Sequence, residues 1–249
     1  METRKTLEQL SSEYDYLVID TCALSRPYGI LIAKPSETGL DKKIPQIEVE
    51  IESSEFFNNF VSRGSNLYTT DDVVEELKSW KKFRKSDVKR LNRLRSAAMK
   101  QNFTRERELA EYIKKSGSTR ELGVKLHERE KSHKRLLSNL TNSDRIIYFV
   151  GEEILFFEAL MSQYSFLSKQ YGITEVDLKL LMSAGLLALK KGKTCLITND
   201  SGIIKSGYAF VINAQLNEGS LSFYIRDEMR SFREAYYQHK LTYSPVAKN

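Results

Sequence analysis

Four acidic residues, separated by long stretches of chain, have the types and positions of a chemical site: Asp20, Glu76, Asp177 and Asp200. Asp20 directly follows one short apolar run, and Asp200 lies just beyond another. Such runs are typical of buried strands in a parallel sheet, and ligands bind beyond the carboxyl ends of these strands. Glu76 and Asp177 lie near the starts of predicted helices. We therefore expect the four carboxylates to share one rim of a sheet.

A shared rim of carboxylates has a chemical consequence. Clustered carboxylates raise one another's pKa unless a cation neutralises them. Ligand sets made only of oxygen select hard cations, so Mg²⁺ or Mn²⁺ is the expected cofactor. These ions activate water and stabilise the charge that develops on phosphate during in-line displacement. The four acids therefore indicate a metal site suited to phosphate chemistry.

Each acid also has a structural interpretation, and the sequence leaves both open. Asp20 could cap the helix after its strand. Asp177 follows Thr174 at the spacing of a capping box. Asp200 fits a turn in Asn-Asp-Ser-Gly, and Glu76 could be a surface glutamate.

Helix geometry distinguishes Glu76 from its neighbour Glu75. In a helix, Val73, Leu77 and Trp80 form one apolar stripe. Glu76 lies on the flank of that stripe, whereas Glu75 points into solvent. Because a carboxylate held toward the core needs compensation, Glu76 is the candidate.

The pattern of strands and helices predicts an α/β chain. Strands are predicted at 16–19, 66–70, 194–198, 208–212 and 221–225. A further strand is predicted at 47–52, where it could form a hairpin with residues 30–33. Helices are predicted at 71–83, 174–190 and 227–239, with a buried helical layer over 146–171 and basic helical segments over 78–140.

Charge is distributed unevenly. The net charge is +6, but residues 78–135 carry +13 and the remainder carries −7. A basic segment beside an acidic body favours a nucleic-acid partner, although a solvated helical face would look the same. The candidate phosphate contacts are Lys81, Lys82, Arg84, Lys85, Lys89, Arg90, Arg93 and Arg95.

Other sequence features narrow the class of protein. Cys22 and Cys195 form neither a disulfide framework nor a CxxC pair, which favours a reducing compartment. The polar start is unlike a secretory leader, and the apolar runs are too charged to span a bilayer. We expect a cytoplasmic protein. Walker A, GxGxxG, GxSxG and HExxH motifs are absent from the sequence.

The acids and their surroundings resemble the PIN-domain family of metal-dependent ribonucleases. The resemblance lies in YLVIDT at 16–21, YTT and VVEEL within 68–77, DLKLLMSA at 177–184 and LITND at 196–200. It implies an α/β fold of three layers (α/β/α) with a central, mostly parallel sheet. It also implies a metal-dependent endoribonuclease whose catalytic residues, the four acids, hold one or two Mg²⁺ or Mn²⁺ ions. Because the family's central glutamate usually precedes a leucine, the resemblance selects Glu76. It gives supporting hydrogen bonds to Thr21, Thr198 and Asn199.

The resulting expectation is a PIN-like nuclease core with an inserted segment. The core comprises residues 1–80 and 172–240. The inserted helical region comprises residues 81–171 and is basic in its first part. A flexible tail covers residues 241–249. RNA is the expected substrate, with no membrane partner. The alternatives are a catalytically inactive RNA-binding or scaffold module and a structure-specific DNA nuclease. A homodimer, a protein inhibitor or a larger complex remain open.

Overall fold

The computed structural model describes residues 5–24, 44–64, 66–99, 119–142 and 144–225. Within them, helices pack on a sheet of four parallel strands, which is consistent with an α/β/α fold of three layers. The strands are β1 Tyr16–Ile19, β2 Leu67–Tyr68, β3 Thr194–Thr198 and β4 Leu221–Ile225, in the spatial order β2-β1-β3-β4. The helices are α1 Leu7–Glu13, α2 Thr21–Leu24, α3 Ile44–Ser62, α4 Asp71–Met99, α5 Thr119–Asn142, α6 Glu152–Gln163, α7 Phe166–Tyr171, α8 Glu175–Lys190 and α9 Ser201–Asn213.

The two central strands form the middle of the core. Leu17, Val18 and Ile19 of β1 are fully buried, as is every residue of β3 from Cys195 to Ile197. A strand covered on both faces needs a continuous apolar run, which is why these two strands were predictable. Ile19 pairs with Ile197, so β1 and β3 end side by side.

Helix α8 packs on β1, β3 and β4. Thr174 caps it in a reciprocal capping box with Asp177, at the predicted position. Gly172 ends α7 just before it, at φ 69°, a conformation that favours glycine. Gly185 allows a close helix contact, because a Cβ there would lie 2.5 Å from the ring of Phe210 in α9. The glycine, the capping residue and the long helix that follow one another therefore fix the start of α8 and place Asp177 in its first turn.

In its described residues, 78–99 and 119–140, the basic part of the chain is helical, as predicted. Helix α4 is a single helix from Asp71 to Met99, so the predicted boundary at residue 81 falls inside it. Helix α5 packs against α3 and α4, and it continues through Gly123. A buried ion pair joins α5 to α3, with 3.2 Å between Arg129 Nε and Glu50 Oε2. The division into core and insertion stays a prediction.

Two predicted strands are wrong. Residues 47–52 belong to α3, where Ile47 and Ile51 are buried one helical turn apart. Six residues that alternate an apolar side chain with Glu fit a helix equally well, because buried Glu50 pairs with Arg129. Residues 208–212 belong to α9.

The predicted buried layer over 146–171 is helical only in α6 and α7, and it is largely exposed. Leu160 and Leu167 are buried, but Leu155 is 68% exposed. The predictions for 30–33, 227–239 and 241–249 lie outside the described residues. Among the helices that the structure describes, none has the length and apolar character needed to cross a membrane.

Candidate functional site

The carboxyl ends of β1 and β3 bring Asp20 and Thr198 together. The backbone N–H of Asp20 donates to the carbonyl of Ile197, which continues the β1–β3 ladder for one more bond. Thr198 Oγ1 then donates to Asp20 Oδ2 at 2.7 Å, and the thiol of Cys22 donates to the same oxygen at 2.6 Å. Only 5% of Asp20 is exposed. The carboxylate is therefore fixed at the rim where the sequence placed it.

The surroundings of Asp20 oppose its negative charge. Burial raises its pKa from an ordinary 3.8 to about 6, even though hydrogen bonds from Cys22 and Thr198 lower it. The charge of Asp177 raises this pKa further, which links the two acids electrostatically. A cation nearby would relieve both effects.

Cys22 connects the ends of the two strands, a role that the sequence analysis missed. Its sulfur accepts a hydrogen bond from the backbone N–H of Asn199 at 3.2 Å. Asn199 Nδ2 donates to the carbonyl of Cys22 at 3.4 Å. Burial, followed by the charge of Asp20, raises the pKa of the thiol to about 12, so the thiol keeps the proton that it donates. A cysteine directly after an aspartate-threonine pair has no distinctive pattern that would have revealed this contact.

Glu76 joins the site through Thr21. Thr21 Oγ1 donates to Glu76 Oε2 at 2.6 Å, and Glu76 is half-buried. Glu75 is 68% exposed and forms an ion pair with Lys78. The predicted orientations of the two glutamates are confirmed, whereas the role of Glu76 as a site residue stays a prediction.

Asp177 has the capping role that the sequence left open, and Asp200 also has a structural role, as a helix N-cap rather than as the predicted turn residue. Asp177 Oδ2 accepts from the backbone N–H and the hydroxyl of Thr174, each at 2.8 Å. Asp200 is the N-cap of α9, and its Oδ1 accepts from the N–H of Gly202 at 2.6 Å. Asp200 also donates its own N–H to Thr198 Oγ1 at 2.9 Å, so it shares that threonine with Asp20.

The donor chemistry of the four acids fits a hard divalent cation. Among the described residues, no ion pair to lysine, arginine or histidine involves any of them. The side-chain hydrogen bonds described above use one oxygen of each carboxylate. In the same part of the chain, however, no three His, Cys, Asp or Glu side chains are grouped closely enough to hold a metal ion. As the structure places them, the four acids therefore do not form a metal site with three ligands.

A lysine at the edge of the site was also missed. Lys179 Nζ lies 3.6 Å from Asp72 Oδ1 in α4 and 3.6 Å from Glu175 Oε1 in α8. It therefore joins the first turns of the helices that carry Glu76 and Asp177. The spacing of Glu175 and Lys179 on one helix was a readable signal, whereas the contact with α4 was not.

The predicted phosphate contacts lie along α4. The side chains of Lys89 and Arg93 are exposed. The side-chain positions of the other six, Lys81, Lys82, Arg84, Lys85, Arg90 and Arg95, lie outside the described part of the structure.

Comparisons of this chain with protein-family models, curated proteins and solved structures found no match.

Proposed function

We propose that this protein is a metal-dependent endoribonuclease that hydrolyses RNA phosphodiester bonds at the rim formed by Asp20, Glu76, Asp177 and Asp200. The observation that carries the proposal is Asp20 itself. It is a buried carboxylate at the end of a central strand, its pKa is raised to about 6, and the described part of the chain pairs it with no cationic side chain. Buried charges are ordinarily paired or bind metals, so a divalent cation is the natural partner.

Each side chain has a definite task in this proposal. Thr198 and Cys22 hold one oxygen of Asp20, and Thr21 holds one oxygen of Glu76, which orients both acids. Asp177 and Asp200 complete the set of oxygen donors. When bound, Mg²⁺ or Mn²⁺ supplies the positive charge that phosphodiester hydrolysis requires. Lys89 and Arg93, exposed on α4, contact the phosphate backbone.

Neighbouring glutamates provide a matched test of this proposal. Glu76→Gln and Glu75→Gln remove the same charge from adjacent residues of α4, but only Glu76 contacts the site. With Mg²⁺ or Mn²⁺ and a labelled single-stranded RNA, we expect Glu76→Gln to lower the cleavage rate by more than about 100-fold, beyond the loss usual for an outer-shell residue. Glu75→Gln should cleave like wild type. Equal rates for wild type and Glu76→Gln would remove Glu76 from the mechanism.

The second candidate function is an inactive RNA-binding or scaffold module. The capping roles of Asp177 and Asp200, and the lack of three closely grouped ligands among the described residues, favour it. This candidate predicts RNA binding without cleavage and no heat of Mg²⁺ or Mn²⁺ binding in calorimetry. If a DNA strand is cleaved faster than an RNA strand of the same sequence in the same assay, the protein is a DNA nuclease.

A further inference from the structure

An apolar surface lies on and just before α6. Of the ten large hydrophobic residues that the described chain exposes, five fall within residues 148–156. We call them the α6 surface: Tyr148 (66% exposed), Val150 (71%), Ile154 (43%), Leu155 (68%) and Phe156 (40%). Exposed apolar side chains that lie this close together along a chain often mark a site of interaction with a partner.

The α6 surface rests on an ordered support. The inward side of α6 is anchored by Leu160, which is buried, and by Phe157, whose ring lies 5.1 Å from that of Phe149. Helix α6 packs on α8, where Lys191 Nζ lies 2.9 Å from Glu153 Oε1. The exposed side chains are therefore presented by a docked helix, which lowers the entropy lost on association.

The charges around the α6 surface are of both signs. Glu152 and Glu158 lie on α6, whereas Lys190 and Lys191 lie at the adjoining end of α8, and all four are exposed. Lys190 also lies 4.5 Å from the ring of Phe156. A two-fold contact sets a surface against itself, so an edge of a single sign would repel its copy. This mixed edge instead allows acidic groups of one copy to face basic groups of the other.

The size of the α6 surface also suits a dimer. Given ordinary side-chain areas, the exposed fractions amount to roughly 500 Å² of apolar surface per copy, near the upper end for the largest patch of a monomer. Two copies with their charged edges would exceed the roughly 1,000 Å² expected of a specific interface.

From these observations we infer that the α6 surface binds a second copy of this chain and forms a two-fold homodimer. The contact leaves the acidic rim accessible, because Lys191 and Asp177 lie at opposite ends of α8. The inference is therefore independent of the proposed ribonuclease activity.

Sedimentation velocity of the full chain over a wide range of concentration tests this inference. We expect a reversible change from the mass of one chain to that of two. Leu155→Glu, and separately Val150→Glu, should weaken dimerisation by more than about tenfold, because each places a charge in an apolar contact. Both side chains are exposed, so circular dichroism should show an unchanged fold.

Ile212→Glu is the matched control. Ile212 is 76% exposed on α9, outside the α6 surface, and its substitution should leave the dimer intact. The inference is overturned if wild type has the mass of one chain at every concentration or forms higher oligomers. It is equally overturned if Ile212→Glu weakens association as much as the α6 variants do.

Discussion

At the scale of single residues, Asp20 combines a fixed position with an unfavourable charge. Its oxygen is held by Thr198 and Cys22, yet burial makes the ionised form costly. If Asp20 served only to stabilise the fold, an uncharged side chain of the same shape would stabilise it more. The charge is therefore best explained by what it can bind.

The pH dependence of stability, compared between wild type and Asp20→Asn, tests whether the buried charge of Asp20 is unfavourable. Because the folded-state pKa of about 6 exceeds the ordinary 3.8, folding takes up a proton between these values. The contribution of Asp20 to the stability of wild type should therefore fall as pH rises from about 4 to about 6, and the loss persists above pH 6. The difference in pKa corresponds to roughly 3 kcal/mol.

Asparagine keeps the acceptor oxygen but cannot ionise. In the absence of divalent cations, Asp20→Asn should therefore be the more stable protein at pH 7, by an amount on the order of 2 to 3 kcal/mol. Urea unfolding at a series of pH values measures this. Parallel pH curves for the two proteins would show that burial of Asp20 carries no electrostatic penalty.

At the scale of elements, the site depends on where strands end and helices begin. Strands β1 and β3 deliver Asp20 and Thr198 to one rim, and the first turn of α8 contains Asp177. Asp177 closes a capping box, so its contribution to helix stability must be separated from any contribution to cation binding.

Two substitutions of Asp177 distinguish its contribution to helix stability from any contribution to cation binding. Asp177→Asn keeps an oxygen for the N–H of Thr174, whereas Asp177→Ala removes it. We expect Asp177→Ala to lower the free energy of unfolding by about 1 kcal/mol, and Asp177→Asn to lower it much less. If Asp177 also binds a cation, both variants should bind Mn²⁺ more weakly in calorimetry. Wild-type Mn²⁺ affinity in Asp177→Asn would leave Asp177 with the capping role alone.

The elements that could be predicted from sequence are those whose local pattern is compatible with only one type of secondary structure. Continuous apolar runs predicted β1 and β3, and the pair of Thr174 and Asp177 predicted the start of α8. The run 47–52 was misassigned because its alternation also places Ile47 and Ile51 on one helix face, and only the distant Arg129 decides between them. The contacts of Cys22 and Lys179 escaped prediction for the same reason, since their partners come from other elements.

At the scale of the whole molecule, three sets of side chains lie on different elements. The predicted acidic site lies where β1 and β3 end, the α6 surface lies near the far end of α8, and the basic residues extend along α4. At about 1.5 Å per residue, Lys89 and Arg93 lie roughly 20 and 26 Å along that helix from Glu76. In the proposed ribonuclease, an RNA bound along α4 would extend toward the predicted acidic site, and the basic residues would offset the repulsion between its phosphates and the acids.

The last prediction concerns this basic helix. Lys89→Glu and Lys193→Glu change the net charge equally, but Lys193 is exposed just before β3, at the amino end of the strands and so opposite the predicted acidic site. With single-stranded RNA in fluorescence anisotropy, we expect Lys89→Glu to weaken binding several-fold. The slope of log affinity against log salt should also shrink by about 0.7 for the lost phosphate contact. Lys193→Glu should show little of either effect, because a distant charge is screened within about 10 Å. Equal losses in the two variants would mean that net charge, rather than contact along α4, governs RNA binding.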